Sequence, residues 1–461
     1  MSRLASPRPA LALAVAALAY ALVLLDTSLV NVGLSDIRDD LGASVTALQW
    51  VVNGYALALA SLLLSAGALT DRIGARRMLL AATSLFAIGA AAAALAPTTA
   101  ALVAAQVLLG TAAAGLVPAS LALLTHNYPD PIRRARALGV WAAISATSFA
   151  AGPVIGGLLV DTAGWRLMFA INLPFALAVL VLLSRVGETA RARARSLDLP
   201  GQATAIVALG ALTFAIVESR SLGWTSVAVL AALGLALAAG AAFLGIERRG
   251  AAPMLPLSML RSRRFSSAAT AGLLINFAVF GQFFLFSLYF LDVRHLSALE
   301  TGLAFLPQPL LLALAGVPAG RLVARKGPRV PLVAGGVLAA LGALVLLTVQ
   351  PDTPYLQIVL GLMLFGAGAG GVIPAVTAAA VSSVPSPQVG VAAAALNASR
   401  QMGGVLGVAV LGGMAVGRGD ALLDGTHTAL VIAAVALAAV ALLGAVGMAP
   451  RRRAELEAQT A

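Results

Sequence analysis

The sequence predicts an all-α membrane protein of fourteen transmembrane helices, and three observations support this fold class. Of its 461 residues, 60% are hydrophobic and only 10% are charged, whereas an average soluble domain has about 25% charged residues. Apolar segments long enough to cross a bilayer, each about 20 residues, follow one another along almost the whole chain. The two halves of the chain also share a repeated pattern of glycine-containing motifs. A soluble globular domain, a coiled coil and a disordered chain are therefore excluded.

The apolar segments are separated by short polar loops that contain glycine, proline and charged residues. With boundaries uncertain by a few residues, as hydropathy patterns allow, the predicted spans are 10–32, 45–68, 77–97, 100–124, 135–160, 165–185, 200–218, 225–246, 265–291, 298–320, 330–349, 354–381, 389–416 and 427–448.

Basic residues are distributed unevenly between the predicted loops. Of the 30 lysine and arginine residues, 24 lie on the side of the two termini and five on the other side, and Arg400 falls inside a span. Because cytoplasmic loops collect basic residues, both termini are predicted to be cytoplasmic in a multi-pass protein of the inner cell membrane. The net charge of +12 then needs no nucleic-acid partner to explain it.

Residue usage also narrows the chemistry. The chain has no cysteine and three widely spaced histidines, so neither a thiolate nor a histidine metal site is expected. It has no Walker A motif or space for a nucleotide-binding domain, and an intramembrane enzyme would need a second catalytic group beside its single intramembrane acid. We therefore expect no enzyme activity, no cofactor and no metal.

Internal repeats divide the predicted spans into two similar halves. Three matches lie at offsets of 253, 256 and 251 residues, and between the copies there is room for two further helices. The chain is therefore expected to contain six helices, two inserted helices and six more. The matched pairs are residues 67–74 with 320–327, Gly110 with Gly366, and Gly152 with Gly403. The predicted divisions are an N-terminal bundle 1–190, an inserted pair with cytoplasmic linkers 191–262, a C-terminal bundle 263–450 and a cytoplasmic tail 451–461.

Several motifs resemble those of a known transporter family. Two parallel six-helix halves are the pattern of the major facilitator fold, and the motifs are similar to its fourteen-helix drug:proton antiporter branch. The resemblance implies two pseudo-two-fold related halves and export by alternating access. It covers about residues 10–445, and its motifs lie at residues 25–32, 49–55, 67–77, 152–157, 164–174 and 397–404.

Two charged residues are candidates for proton coupling. Asp26 is the acidic residue well inside a predicted span, and a buried carboxylate is by default a functional hypothesis because burial disfavours its charged form. The alternative is a structural hydrogen-bonded aspartate. Arg400 lies near the middle of the thirteenth span and needs Asp26, backbone carbonyls or a water-filled cavity as a partner. A structural clamp is the alternative to coupling.

The predicted substrate cavity is lined by polar and aromatic residues of the first, second, fourth and ninth spans. The ninth span is rich in aromatic residues, which suit flat apolar or cationic ligands, although aromatics also serve as packing or lipid-facing residues. The family motif has an arginine before Gln106 and Gly110 that this sequence lacks, which favours a facilitator as an alternative. The candidates are Asn31, Gln49, Asn53, Gln106, Asn276, Phe277, Phe280, Gln282 and Phe284.

Two glycine-containing motifs are candidates for conformational control. In the loop after the second span, Asp71 could cap a helix or pair with an arginine, and the resemblance implies a latch in the outward-facing state. In the fifth span, glycines and a proline permit close packing and bending, with ordinary packing as the alternative to a hinge. The residues are Gly67, Asp71, Arg72, Gly74 and Arg77, and Gly152, Pro153, Gly156 and Gly157.

Taken with the resemblance, these features predict a proton-coupled exporter of lipophilic, neutral or monocationic compounds. Its partners would be a small lipophilic substrate, protons and the lipid bilayer, without nucleic acid, and it is expected to act as a monomer. A dedicated exporter of one natural product or lipid and an uncoupled facilitator are the alternatives.

Overall fold

The computed structural model describes residues 9–187, 198–250, 257–385, 388–415 and 420–448. The predicted tail 451–461 and parts of the linkers around the inserted pair lie outside this range. Long runs of alanine, leucine and valine form helices because only a helix satisfies every backbone polar group within an apolar bilayer.

Within the described residues, seventeen α-helices form the fourteen predicted spans. The first span combines α1 and α2, the sixth combines α7 and α8, and the tenth combines α12 and α13. Thirteen spans are long and apolar enough to cross a membrane, and α16 carries polar residues that lower its hydropathy. The helices are α1 (Pro9–Leu29), α2 (Leu34–Leu41), α3 (Val45–Ile73), α4 (Ala75–Ala94), α5 (Thr99–Asn127), α6 (Pro131–Ala163), α7 (Arg166–Ala170), α8 (Asn172–Leu183), α9 (Leu199–Leu222), α10 (Val227–Arg249), α11 (Arg263–Leu288), α12 (Ala298–Phe305), α13 (Pro307–Lys326), α14 (Arg329–Leu346), α15 (Tyr355–Val381), α16 (Val389–Gly412) and α17 (Asp420–Gly447).

Polar side chains fix where many of these helices begin. Ser44 accepts a hydrogen bond from the backbone N–H of Ala47, and Thr98 accepts one from Ala101. Ser297 and Glu300 form a reciprocal capping box at the start of α12. Such caps satisfy the free N–H groups of the first helical turn, so the short polar loops set the helix boundaries.

The helices pack as two bundles. Helices α1–α8 contact one another in the first bundle, and α11–α17 contact one another in the second. Helix ends at one side carry most of the arginines, as at the α3–α4 and α13–α14 junctions, and we call this side the basic face. The other side, where α2 ends and α12 begins, is the opposite face.

The internal repeat predicted from the sequence is visible in the packing. Gly110 lies against the carbonyl of Tyr55 where α5 crosses α3, and Gly366 lies against the carbonyl of Gln308 where α15 crosses α13. A side chain at either glycine would collide with backbone, so both crossings require glycine. The same close approach in both halves explains the matched glycines.

The inserted pair α9–α10 lies against the outside of the first bundle and also reaches the second. Gln202 of α9 donates a hydrogen bond of 2.5 Å to the carbonyl of Ser61, and Trp50 donates one of 2.8 Å to Glu218. Helix α9 also contacts α16. Helix α10 packs mainly on α9 and exposes leucines such as Leu237, as expected for a surface in contact with lipid.

Candidate transport cavity and its gates

A cavity of about 350 Å³ lies between the two bundles near the middle of the spans. Most of its wall is apolar, with residues of α1, α3, α5 and α6 on one side and of α11, α13, α15 and α16 on the other. Among the described lining residues, Arg400 is the charged one. The polar and aromatic members of the lining are Tyr20, Thr27, Asn31, Tyr55, Gln106, Trp141, Ser145, Phe149, Asn276, Phe280, Asn397, Arg400 and Gln401.

The cavity opens towards the basic face. A wider space of about 710 Å³ shares Leu63, Val117, Trp141 and Asn397 with it. That space extends to Asp71 at the end of α3. The two spaces therefore adjoin, and together they extend from the basic face to Arg400.

At the opposite face, an ion pair joins the two bundles. Arg38 of α2 donates two hydrogen bonds of 2.6 and 2.7 Å to the carboxylate of Asp292, after α11. Ser35 donates a further bond of 3.1 Å to the same carboxylate. Side-chain exposures are 13% for Arg38 and 6% for Asp292, so the bidentate pair is largely shielded from water and closes this face.

A second contact between the bundles lies at the start of α12. Asp161 of α6 accepts a hydrogen bond from the Ser297 hydroxyl at 2.7 Å and from the backbone N–H groups of Ala298 and Leu299 at 3.1 Å each. A carboxylate at a helix N-terminus is favoured because it meets free N–H groups and the positive end of the helix dipole. Asp161 therefore holds α12 against α6.

The structure places Asp26 behind the cavity wall. Asp26 is 4% exposed and is absent from the lining. Its Oδ1 accepts a hydrogen bond of 2.7 Å from the side-chain amide of Asn172, which is fully buried on α8. Tyr55, which does line the cavity, donates a hydrogen bond of 3.3 Å to the carbonyl of Val23, three residues before Asp26 on α1. The carboxylate is therefore one layer away from the cavity and has a neutral partner.

Arg400 faces the cavity, which is one of the three partners considered for it from the sequence. Its aliphatic stem packs beside Gly272 of α11. Its buried Nε has no hydrogen-bond partner in the described part of the chain. No ion pair between Arg400 and Asp26 occurs among the described residues. A role of Arg400 in proton coupling stays a prediction.

Of the predicted cavity residues, Asn31, Gln106, Asn276 and Phe280 lie in the lining. Gln106 is 2% exposed, and its side-chain carbonyl has no partner among the described residues.

The other predicted polar residues lie elsewhere. Gln49 donates to the carbonyls of Val408 and Ala409 at 2.8 and 3.1 Å, and so links α3 to α16. Asn53 is fully buried, and its amide atoms have no partner in the described chain. Gln282 accepts a bond of 2.7 Å from Gln308 inside the second bundle. These side chains connect neighbouring helices or are buried between them, and none of the three lines the cavity.

The predicted aromatic face of α11 is turned away from the cavity except at Phe280. Phe277 and Phe284 do not line it, because this face packs on α16. Gly407 lies against the carbonyl of Phe277, and Gly412 lies beside the Phe284 ring. These glycines draw α11 and α16 together backbone to backbone, so the face of Asn276 and Phe280 is the one left for the cavity.

The α3–α4 junction differs in one respect from the sequence-based expectation. Asp71 lies within the last turn of α3, and the N-cap of α4 is Gly74, which makes no side-chain cap. The capping alternative is therefore wrong. Asp71 lines the opening at the basic face without a hydrogen bond or ion pair among the described residues. The latch role of this loop, with Gly67, Arg72 and Arg77, stays a prediction.

The backbone conformation at Gly74 requires glycine. It has φ 94° and ψ 145°, a conformation that is costly for any residue with a Cβ. We expect Gly74→Ala to lower the free energy of unfolding by about 1–3 kcal/mol. Gly67→Ala is the matched control, since Gly67 is helical and a Cβ there meets its nearest atom at 3.9 Å. Thermal unfolding in detergent compares the two, and equal midpoints would contradict the assignment.

The glycine motif of α6 brings that helix against two others. Gly152 and Gly156 lie against Ser28 and Leu29 of α1. Gly157 lies against the backbone of Ala298 and Leu299 in α12. The carbonyl of Pro153 lies against Gly302 of α12 in the same interface. The predicted close packing is present, and the contacts of Pro153 and Gly157 join the two bundles. The role of this motif as a hinge stays a prediction.

Some residues of this site were missed by the sequence analysis. Tyr20 and Trp141 line the cavity with their rings stacked, at a centroid distance of 4.4 Å and an interplanar angle of 12°. Tyr20, Thr27 and Asn31 lie on one helical face by their spacing, so the face of Asn31 would have indicated Tyr20. No spacing or motif in the sequence indicated the pairing of Arg38 with Asp292.

Comparison with known proteins agrees with this architecture. A family model described as Major Facilitator Superfamily matches residues 16–408 and, in a second match, residues 309–460. The chain is 37% identical over 393 residues to the methylenomycin A resistance protein of Streptomyces coelicolor, covering 85% of this chain and 83% of that protein. It is 38% identical over 392 residues to the multidrug resistance protein Stp of Mycobacterium tuberculosis, covering 85% and 73%.

Further similarities extend over nearly the whole chain. The tetracenomycin C resistance and export protein of Streptomyces glaucescens is 35% identical over 420 residues, covering 90% of this chain and 78% of that protein. A solved bacterial homologue of the human lysosomal transporter Spinster, inward-facing and unoccupied, has a TM-score of 0.69 at 17% identity, covering 96% and 97%. A peptide transporter, POT, bound to alafosfalin has a TM-score of 0.70 at 16% identity, covering 94% and 93%.

The two solved structures are similar in fold. The family model and the resistance proteins show common descent. Together with the fourteen spans, the repeated halves and the cavity between them, they identify a transporter and not an enzyme. The chain belongs to the Major Facilitator Superfamily, among its fourteen-helix drug efflux members.

Proposed function

We propose that this protein exports lipophilic small molecules, neutral or singly charged, across the cell membrane in exchange for protons. The basic face is the cytoplasmic one in this proposal, because basic residues collect there. The cavity then opens to the cytoplasm and is closed towards the outside, which is the state that takes up substrate from within the cell.

The observation that carries the proposal is the surroundings of Asp26. A buried carboxylate paired with a cation would be held charged, since its protonation would leave the cation unpaired. Asp26 accepts a hydrogen bond from the neutral amide of Asn172 instead. It can therefore gain and lose a proton without exposing a second buried charge, which suits a proton carrier.

In the proposed cycle, Asp26 releases its proton when the cavity faces the cytoplasm and substrate enters. The bundles then rock so that the opposite face opens, the substrate leaves and Asp26 is protonated from outside. In this cycle the carboxylate senses the cavity through Tyr55, which lines the cavity and donates a hydrogen bond to the carbonyl of Val23 on the same helix as Asp26.

The experiment uses purified protein in liposomes at zero membrane potential, with rhodamine 110, chloramphenicol and ethidium as probes. Protein inserted so that its opposite face meets an acidic lumen should concentrate probe in the lumen, and nigericin should abolish this. Movement that only follows the probe's own gradient and ignores pH would favour the facilitator, which the absence of the family motif's arginine before Gln106 also favours.

The breadth of the substrates is a second question within the same proposal. Two of the similar proteins have names that refer to one antibiotic each, and one is called a multidrug resistance protein. Transport of several unrelated probes would favour a multidrug exporter. Transport restricted to one chemical scaffold would favour the dedicated exporter.

A further inference from the structure

We propose that Arg400, together with Trp141 and Tyr20, forms a subsite that binds an anionic oxygen group, such as a carboxylate, on an otherwise apolar aromatic substrate. This inference rests on the proposed export function and specifies the charge of the substrate that enters the cavity.

The charge of the cavity lining favours an anionic group on the substrate. The cavity has one cation, Arg400, and the lining residues that the structure describes include no carboxylate. Asp26, the nearest candidate from the sequence for a negative charge at the cavity, is behind the wall and accepts a hydrogen bond from Asn172. A cationic substrate would meet repulsion from Arg400 in an environment of low dielectric constant, whereas an anion would be attracted.

Two polar atoms of the described lining residues also favour an anionic group. In the described chain, the Nε of Arg400 and the Nε1 of Trp141 are buried and have no hydrogen-bond partner. Both groups are donors, and both residues line the cavity. Buried donors normally have partners, because leaving one unpaired is unfavourable. A bound acceptor that carries negative charge would satisfy both.

The position of Tyr20 brings both bundles to this subsite. Its ring stacks on Trp141 at a centroid distance of 4.4 Å, and both residues line the same cavity as Arg400. Tyr20 and Trp141 belong to the first bundle and Arg400 to the second. An anion bound by all three would therefore join the bundles across the cavity, as an occluding substrate must do.

The remainder of the cavity fits the rest of such a molecule. Phe149 and Phe280 and the aliphatic residues around them provide apolar walls, which suit a flat aromatic scaffold. Asp71 and Asp198 line the wider opening and are absent from the lining of the cavity itself. Their carboxylates therefore act on the approach of a substrate, whereas Arg400 acts on the substrate once it is bound.

The test uses two xanthene dyes that differ in one group. Rhodamine 110 has a free carboxylate, and rhodamine 123 is its methyl ester. Binding to purified protein in nanodiscs is measured by fluorescence anisotropy without any proton gradient, so the outcome does not depend on proton coupling. We expect wild-type protein to bind rhodamine 110 at least about tenfold more tightly, as for a charge-assisted hydrogen bond.

Arg400→Gln should reduce the ratio of the two dyes' affinities to about one without weakening the binding of rhodamine 123. Arg400→Lys should retain part of the preference for rhodamine 110. Arg166→Gln, which removes an arginine at the opposite face whose side chain is 43% exposed, should leave the ratio unchanged. If Arg400→Gln does not fold, Trp141→Phe keeps an aromatic ring at this position and removes the N–H. That variant should weaken the binding of rhodamine 110 several-fold and leave the binding of rhodamine 123 unchanged.

Equal or tighter binding of rhodamine 123 by the wild type would overturn the subsite. So would an equal loss of both dyes in Arg400→Gln, since that is the result of a purely structural arginine. A protein that selects rhodamine 110 but ignores the pH gradient would retain the subsite and refute the proposed coupling. The reverse result would refute the subsite alone.

Discussion

Gly157→Ala is expected to hold the opposite face open and to reduce transport at least about tenfold. A Cβ at Gly157 would lie 2.5 Å from the Cα of Leu299 and still closer to the carbonyl of Ala298. Both are backbone atoms of α12, so they cannot move aside without moving the helix. The closed arrangement would be destabilised relative to the open one, and each 1.4 kcal/mol changes that ratio tenfold.

The measurement exploits the absence of cysteine from the chain. A single cysteine in place of Thr301, which is fully buried on α12, should react slowly with a membrane-impermeant maleimide and faster in Gly157→Ala. Gly139→Ala is the control on the same helix, since nothing lies within 4 Å of a Cβ there. Unchanged labelling and transport in Gly157→Ala would refute the gate assigned to α6 and α12.

Removing either partner of the Arg38–Asp292 ion pair is expected to shift the protein strongly towards the state that is open at the opposite face. Arg38→Gln leaves Asp292 shielded from water without its cation, which typically costs about 2–5 kcal/mol. Asp292→Asn leaves Arg38 with only the exposed Asp39, at 3.4 Å, as a carboxylate partner among the described residues, so its effect should be smaller. The same Thr301 cysteine should become more reactive in each variant, and uphill transport should fall.

A charge swap provides the internal control for this pair. Arg38→Asp combined with Asp292→Arg should recover part of the slow labelling, because the ion pair can form again in the opposite sense. The Arg166–Asp40 pair lies within the first bundle, with exposures of 43% and 46%. Arg166→Gln should cost at most about 1 kcal/mol, as for surface pairs, and leave labelling unchanged. Equal effects of the two pairs would contradict the special role of Arg38 and Asp292.

The membrane spans and the repeat were predictable because the bilayer constrains them directly. A span must be apolar over about 20 residues, so hydropathy locates it, and Gly110 and Gly366 recur because both crossings bring one backbone against another. The interruptions inside spans were not predicted. The tenth span breaks at Leu306 before Pro307, and the sixth breaks at Ile171, and these breaks leave little trace in hydropathy.

Only part of the cavity could be predicted, because hydropathy does not say which face of a buried helix meets a cavity. Asn31, Gln106, Asn276, Phe280 and Arg400 are polar or aromatic in apolar spans, and all of them line it.

The orientation of the remaining candidates depended on other helices. Phe277 and Phe284 were misplaced because the glycines of α16 decide how α11 is turned. Gln49 was misplaced because its partners are carbonyls more than 350 residues away. The Arg38–Asp292 pair joins residues 254 positions apart, and tertiary structure alone brings them together.

The central claim is that Asp26 exchanges protons with substrate transport. Asp26→Asn tests it well, because the amide of Asn172 can still donate to an asparagine side chain and the buried packing is conserved. The variant cannot carry a proton at neutral pH, so the coupling should be lost while the cavity and its gates remain.

The most direct measurement is accumulation of probe in everted membrane vesicles at matched protein level. Wild type, wild type with a proton ionophore, and Asp26→Asn are compared with the rhodamine 110, chloramphenicol and ethidium panel. The account predicts that the ionophore and Asp26→Asn each abolish uphill accumulation, while Asp26→Asn still equilibrates probe down its gradient. Uphill transport that collapses with ionophore but persists in Asp26→Asn would place the coupling site elsewhere, and transport indifferent to both would contradict proton coupling altogether.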